Sequence, residues 1–203
     1  IDDFMMSASL LHNESVEEEY SGAVFLIFGR SSWIQDAGDD HIIDVVQLAN
    51  YSVKFRSTLD RGVLGHTLKN IGDLNNDGLP DVVISENIKG KYKAPNVGRL
   101  HLMFNMGRYT QANISEVYDI ENIVNTDDTL NRVVLEGETN YFGEHVTGMG
   151  DFNQDGYDDV IILDGFSDKD PDTIVHGSLY ILFGKSASTA WPDTWNLDDM
   201  VTG

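Results

Sequence analysis

The chain has 203 residues, 41% of them hydrophobic, enough for one packed domain of ordinary size and too little for two large ones. Its 34 Asp and Glu against 13 Lys and Arg give a formal net charge of −21, which disfavours nucleic acid and anionic membrane surfaces as partners. Cysteine is absent, which removes disulfides, thiolate zinc sites and cysteine nucleophiles; no run of about 18 apolar residues is present, so no direct membrane insertion is expected.

In chain order, Ile1-Asp2-Asp3 followed by Phe4-Met5-Met6 reads as the tail of an acidic loop running into a strand. Glu17, Glu18 and Glu19 read as a solvated connection, and Gly22 to Gly29 as a second apolar strand. A weak outer strand is expected at Val53 to Arg56, and a longer one from about Gly65 to Ile71. An acidic loop follows from Asp73 to Asp81. Val82 to Ser85 is a short, β-branched run of the kind that suits a strand buried on both faces. Lys89 to Lys93, a basic cluster, reads as a solvated hairpin loop before a strand at Leu100 to Phe104. The stretch Asn113 to Ile123 has no clear period. An outer strand at Arg132 to Leu135 and a strand at Gly143 to Met149 precede a second acidic loop, Asp151 to Asp159. Strands at Val160 to Leu163 and Leu179 to Phe183 complete the pattern.

This pattern is a repeat. Gly72-Asp73-Leu74-Asn75-Asn76-Asp77-Gly78-Leu79-Pro80-Asp81 recurs 78 residues later as Gly150-Asp151-Phe152-Asn153-Gln154-Asp155-Gly156-Tyr157-Asp158-Asp159. Leu64-Gly65 matches Phe142-Gly143, and Trp195 to Met200 resembles Val117 to Ile123. The repeats divide as 1–58 (partial), 59–137 (complete) and 138–203 (partial), so the chain reads as a segment of a longer array. The expected fold class is all-β, with four-stranded antiparallel sheets repeated as β-propeller blades.

The acidic loops have the spacing D-x-N-x-D-G-x-x-D. Calcium takes six to eight oxygens, and alternate side chains of a tight loop converge on one point. The expected ligands are Asp73, Asn75, Asp77, the Leu79 carbonyl and Asp81, then Asp151, Asn153, Asp155, the Tyr157 carbonyl and Asp159. Asp3 is the surviving ligand of the first, truncated loop. Gly78 and Gly156 permit the sharp turn. An EF-hand would need an acid at position 12 and a following helix, but that position holds Ile84 or Ile162 inside a β-branched run. Asn-Asp-Gly is also a turn formula, so a plain polar hairpin is the competing reading. Two complete copies in the same strand context favour the cation loop.

Phe142-Gly143 together with the loop Gly150 to Asp159 resembles the FG-GAP repeat of integrin α-chain β-propellers, and bacterial integrin-like repeat proteins are nearer still. Phe183-Gly184-Lys185-Ser186, Pro192 and Leu197-Asp198-Asp199 resemble the blade ends of those proteins. The resemblance implies a propeller of seven blades, bound Ca²⁺, an extracellular or cell-surface place and adhesion-type partners, with a protein or glycan as ligand. Leu64 stands where the family has Phe.

Other signals are weaker. Gly184-Lys185-Ser186 lacks the upstream glycine of a phosphate loop, since position 179 is Leu179. The six histidines show no pair at metal spacing, and no nucleophile or base stands out. Trp33, Trp191 and Trp195 read as packing residues. Asn13, Asn50 and Asn113 fit the glycan acceptor pattern. The expected function is a non-enzymatic, calcium-stabilised binding or scaffold module. The alternatives are an accessory propeller of a secreted enzyme, or a building block of a surface assembly. In every case the rest of the propeller, or another copy, is expected to complete the blades and cover end faces carrying Phe4, Met5 and Met6.

Overall fold

A computed structural model of the chain describes residues 3–9, 22–30, 49–59, 62–88, 97–126, 129–137, 139, 141–165 and 177–196. Their architecture is all-β and forms three sheets. The expected features at Glu17 to Glu19, Trp33, Lys89 to Lys93 and Asn13 lie outside these residues. Among the described residues no helix is long and apolar enough to cross a membrane.

The middle sheet shows the repeat unit. β4 (Gly62–Gly72), β5 (Asp81–Ile88), β6 (Val97–Met103) and β8 (Arg132–Glu136) follow one another as an antiparallel meander. A short strand, β12 (Thr194–Asn196), joins the far edge in parallel to β8. The first sheet repeats the later part of this plan. Its β1 (Phe4–Ala8), β2 (Ala23–Ile27) and β3 (Ser52–Arg56) are antiparallel, and β7 (Val117–Asp119) adds in parallel to β3. The third sheet contains β9 (His145–Gly150), β10 (Asp159–Asp164) and β11 (Ser178–Leu182).

The unclear stretch 113–123 therefore resolves into β7 flanked by single 3-10 turns at Gln111–Asn113 and Ile120–Asn122. Tyr118 on β7 stacks over Phe55 at 6.0 Å between ring centroids. Trp195 on the equivalent β12 packs with Trp191, which contacts Phe104 at 5.2 Å. These two tryptophans are packing residues, and Lys185 lies over both rings.

The middle sheet is apolar on both faces because it lies between the other two. Val83, Leu100, Leu102, Val133 and Leu135 meet Phe142, Val146, Val160, Ile162 and Leu182 of the third repeat. On the opposite face Leu64, Ile84 and Met103 meet Val24, Leu26, Val53 and Phe55 of the first sheet. The Phe-Gly pair has a packing role at these joints. Phe142 and Leu64 are fully buried in the two inter-sheet cores. Gly143 and Gly65 follow with φ of +80° and +84°. A Cβ on Gly143 would sit 2.6 Å from Leu100 Cδ2, and one on Gly65 would sit 2.9 Å from Val24 Cγ2. Each repeat thus pushes a side chain and a bare backbone into the sheet before it.

The expected end faces need one correction. Phe4 is half exposed, but Met5 packs into the core between the first and middle sheets, because neighbouring strand residues point to opposite faces. Met6 joins Ala23, Phe25 and Ile27, which are buried. Among the described residues it is the outward face of the third sheet that is exposed: Leu163, Leu179 and Ile181 lie there, with Phe183 just beyond β11.

Candidate metal centre

Both acidic loops are hairpins between the first two strands of their antiparallel meanders, 73–80 between β4 and β5 and 151–158 between β9 and β10. Each strand pair enters and leaves in the same register, so the two loops share one backbone course. Asn76 and Gln154 at the fourth position have φ of 54° and 63°, and Gly78 and Gly156 at the sixth have 86° and 94°. Left-handed backbone at these positions turns the carboxylates inward and favours Asn and Gly.

The side-chain arrangement is the same in both. Asp73 accepts from the backbone N–H of Asp77 at 3.0 Å and of Gly78 at 2.8 Å. Asn75 Oδ1 accepts from Asp77 N–H at 3.1 Å, while its amide donates to Asp77 Oδ2 at 2.9 Å. Asp77 Oδ1 accepts from Leu79 N–H at 2.9 Å. In the second loop Asp151 accepts from Asp155 and Gly156, both at 2.9 Å, and Asn153 donates to Asp155 at 2.8 Å. Asp155 accepts from Tyr157 N–H at 3.0 Å. One loop N–H occupies only part of a carboxylate oxygen's acceptor capacity, so these bonds preorganise the oxygens and leave lone pairs available.

The closing aspartates differ. Asp159 accepts from Phe152 N–H at 2.9 Å and, through its other oxygen, from Gly184 N–H at 3.0 Å. Asp3 does the same with Gly29 N–H at 2.7 Å. Gly29 and Gly184 each follow the Phe that comes directly after the third strand of their repeat. In the middle repeat that place is Asn105, which has φ 53° and leads into a 3-10 turn. Asp81, 0% exposed, accepts from Leu74 N–H at 2.8 Å through Oδ2, and its buried Oδ1 has no hydrogen-bond partner among the described residues. Burial pushes the Asp81 carboxyl up to about 8; the Leu74 N–H opposes this, and the charges of Asp77 and Asp73 add to it.

A hard cation fits this donor set. The oxygens of Asp73, Asn75, Asp77 and Asp81 and the Leu79 carbonyl are all of the type Ca²⁺ prefers, and the orphaned Asp81 Oδ1 is the atom a cation would satisfy. Among the described residues no three His, Asp or Glu side chains gather into a metal cluster by themselves. The loop set is instead a mixture of carboxylate, amide and carbonyl oxygens.

Two features were not visible in the sequence. Asp158, next to the closing Asp159, reaches the other loop and accepts from Asp73 N–H at 2.8 Å. Its only sequence signal is an acid where the other repeat has Pro80. The second feature is a buried polar chain on the face of the middle sheet that meets the first sheet. Glu86 and His101 are buried and paired at 3.1 Å. Arg132 lies 3.1 Å from His101 Nδ1. Arginine has only donors, so His101 Nδ1 accepts and its Nε2–H donates to Glu86. Burial alone would raise the Glu86 carboxyl, but the His101 hydrogen bond and nearby positive charge hold it below the usual range. Ser57 Oγ, close by, gives its one proton to Glu121 Oε1 at 2.9 Å, and Glu86 Oε1 has no hydrogen-bond partner among the described residues. Arg132 also donates to the carbonyls of Ile123 and Glu121, tying the segment beside β7 to the middle sheet.

Comparison of the sequence with family models and with curated proteins gives no match.

Proposed function

We propose that the chain is part of a β-propeller that binds Ca²⁺ for stability through loops 73–81 and 151–159, and that it serves as a non-enzymatic binding or scaffold module outside the cell. The observation that carries this reading is the pair of loops with one backbone course and one oxygen set, one of which holds a buried carboxylate oxygen with no partner. The charges of Asp73 and Asp77 bear on the buried Asp81, and a divalent cation would offset that repulsion. Extracellular calcium modules bind as weakly as about 10⁻⁴–10⁻³ M, so millimolar surroundings fill them and the cytosol does not. The propeller reading is supported by three sheets stacked in series with an apolar core at each joint. The bare face of the third sheet calls for further sheets or another copy to cover it. Adhesion-type partners, a protein or a glycan, rest on the family resemblance, as do the alternatives of an enzyme accessory domain or a surface building block.

Thermal melting with Ca²⁺ and with chelator tests the metal reading. With free Ca²⁺ about 100-fold above the dissociation constant, each site adds about 2.7 kcal/mol. Asp77→Ala combined with Asp155→Ala removes that gain. Superimposable melts of the parent chain in the two conditions would sink the structural-calcium reading.

A further inference from the structure

We propose that Asp158 couples the two loops, so that Ca²⁺ bound in loop 151–159 raises the affinity of loop 73–81, and the reverse. This rests on the calcium reading above and goes beyond it. The joint is reciprocal: Asp73 N–H donates to Asp158 Oδ2 at 2.8 Å, and Asp158 N–H donates to the Asp73 carbonyl at 3.2 Å. A third bond runs from Lys185 N–H to the Leu74 carbonyl at 2.9 Å, and beside it Gly184 N–H donates to Asp159. The backbone of the first two residues of one loop is therefore held by the chain that forms the other.

Close packing keeps the joint in this geometry. Gly72 has φ +89°, and a Cβ there would overlap the Asp158 carboxylate. A Cβ on Gly184 would lie 2.7 Å from both the Leu74 carbonyl oxygen and Tyr157 Cβ. Pro80 occupies the place of Asp158 in the other repeat and has neither an N–H nor a carboxylate, so that loop cannot form the same joint through this position.

The coupling follows from which atoms are shared. Tyr157 and Asp159, two of the expected ligands, flank Asp158. Ca²⁺ held by the Tyr157 carbonyl and Asp159 restrains the backbone of residue 158 from both sides. That restraint passes through two hydrogen bonds to Asp73, the first ligand of the other loop. The ordering cost of the shared segment is met once for two binding events, which is positive cooperativity. Two bound dications repel each other, but the Asp158 carboxylate lies at the junction and offsets part of that repulsion. Linkage requires the effect to be equal in both directions.

The test is a thermodynamic cycle on the full chain, read by Ca²⁺ titration calorimetry. Asp155→Ala leaves only the 73–81 site, and Asp77→Ala leaves only the 151–159 site. The product of the two binding constants in the parent chain should exceed the product of the two single-site constants by about fivefold or more. In an Asp158→Ala background the ratio should fall to about one, whereas Asp158→Asn, which keeps an acceptor for Asp73 N–H, should retain most of it. A parent ratio of one overturns the coupling, whether or not the Asp158→Ala chain folds. An unchanged ratio in Asp158→Ala shows that Asp158 is not the coupler and also overturns the proposal. Sites that bind independently overturn this inference alone, whereas no Ca²⁺ binding in any chain overturns the calcium reading with it.

Discussion

Replacing Asp81 with Asn should stabilise the chain in chelator and destabilise it, relative to the parent, in saturating Ca²⁺. Asp81 is completely buried, one of its oxygens has no partner, and the charges of Asp73 and Asp77 face it. A buried acceptor left unmade costs about 1–3 kcal/mol, and more when charged. Asparagine keeps one oxygen for Leu74 N–H, is uncharged at every pH, and presents an amide to the neighbouring carboxylates. The expected gain without metal is therefore about 1–3 kcal/mol, and a domain of this size moves by about 2–4 °C in Tm per kcal/mol. With metal, the same change removes a ligand, and the gain from Ca²⁺, about 2.7 kcal/mol at 100-fold excess over the dissociation constant, should shrink. Differential scanning calorimetry of parent and variant in both conditions reads the crossing directly. A variant less stable than the parent in chelator would show that Asp81 is satisfied in the folded chain and would refute the reasoning. Asp159→Asn provides the contrast: both Asp159 oxygens accept N–H bonds, so the amide loses an acceptor and should give no gain in chelator.

Phe142→Ala should cost about 3–5 kcal/mol in urea unfolding, the usual loss for a large buried aromatic, while Val124→Ala, at an exposed side chain, should change stability by less than about 0.5 kcal/mol. Gly143→Ala should cost about 1–3 kcal/mol, because φ is +80° and the new methyl meets Leu100, whereas Gly165→Ala, with open space around it, should be close to neutral. Glu86 sets an acid limb. Its carboxyl is held below the usual range, so its contribution is present above the unfolded-state value of about 4.3 and is lost as pH falls through the lower folded-state value. The stability difference between parent and Glu86→Gln, followed by urea unfolding from pH 7 to pH 3, should narrow over that interval; a difference that widens on acidification would reverse the assigned direction.

The strand runs and the acidic loops were legible because their information is local. Val82-Val83-Ile84 and Val160-Ile161-Ile162 carry their burial in consecutive β-branched residues, and the loops carry theirs in the spacing of Asp, Asn and Gly. Repetition at a fixed offset then set the order of the strands, and it also matched 117–123 with 195–200, whose described parts include β7 and the end of β12, each at a sheet edge. The residues that join one repeat to the next were not legible. Met5 looked like an end-face residue and packs into an inter-sheet core; Glu86, His101 and Arg132 carry no local pattern that marks them, and they form one polar chain between sheets. Asp158 is marked in the sequence only by its contrast with Pro80, and it holds the opposite loop. Each of these roles depends on the strand or loop that arrives from elsewhere in the chain. A carboxylate's partner is set by distance in space, and the spacing along the sequence carries no record of it until the sheets stack.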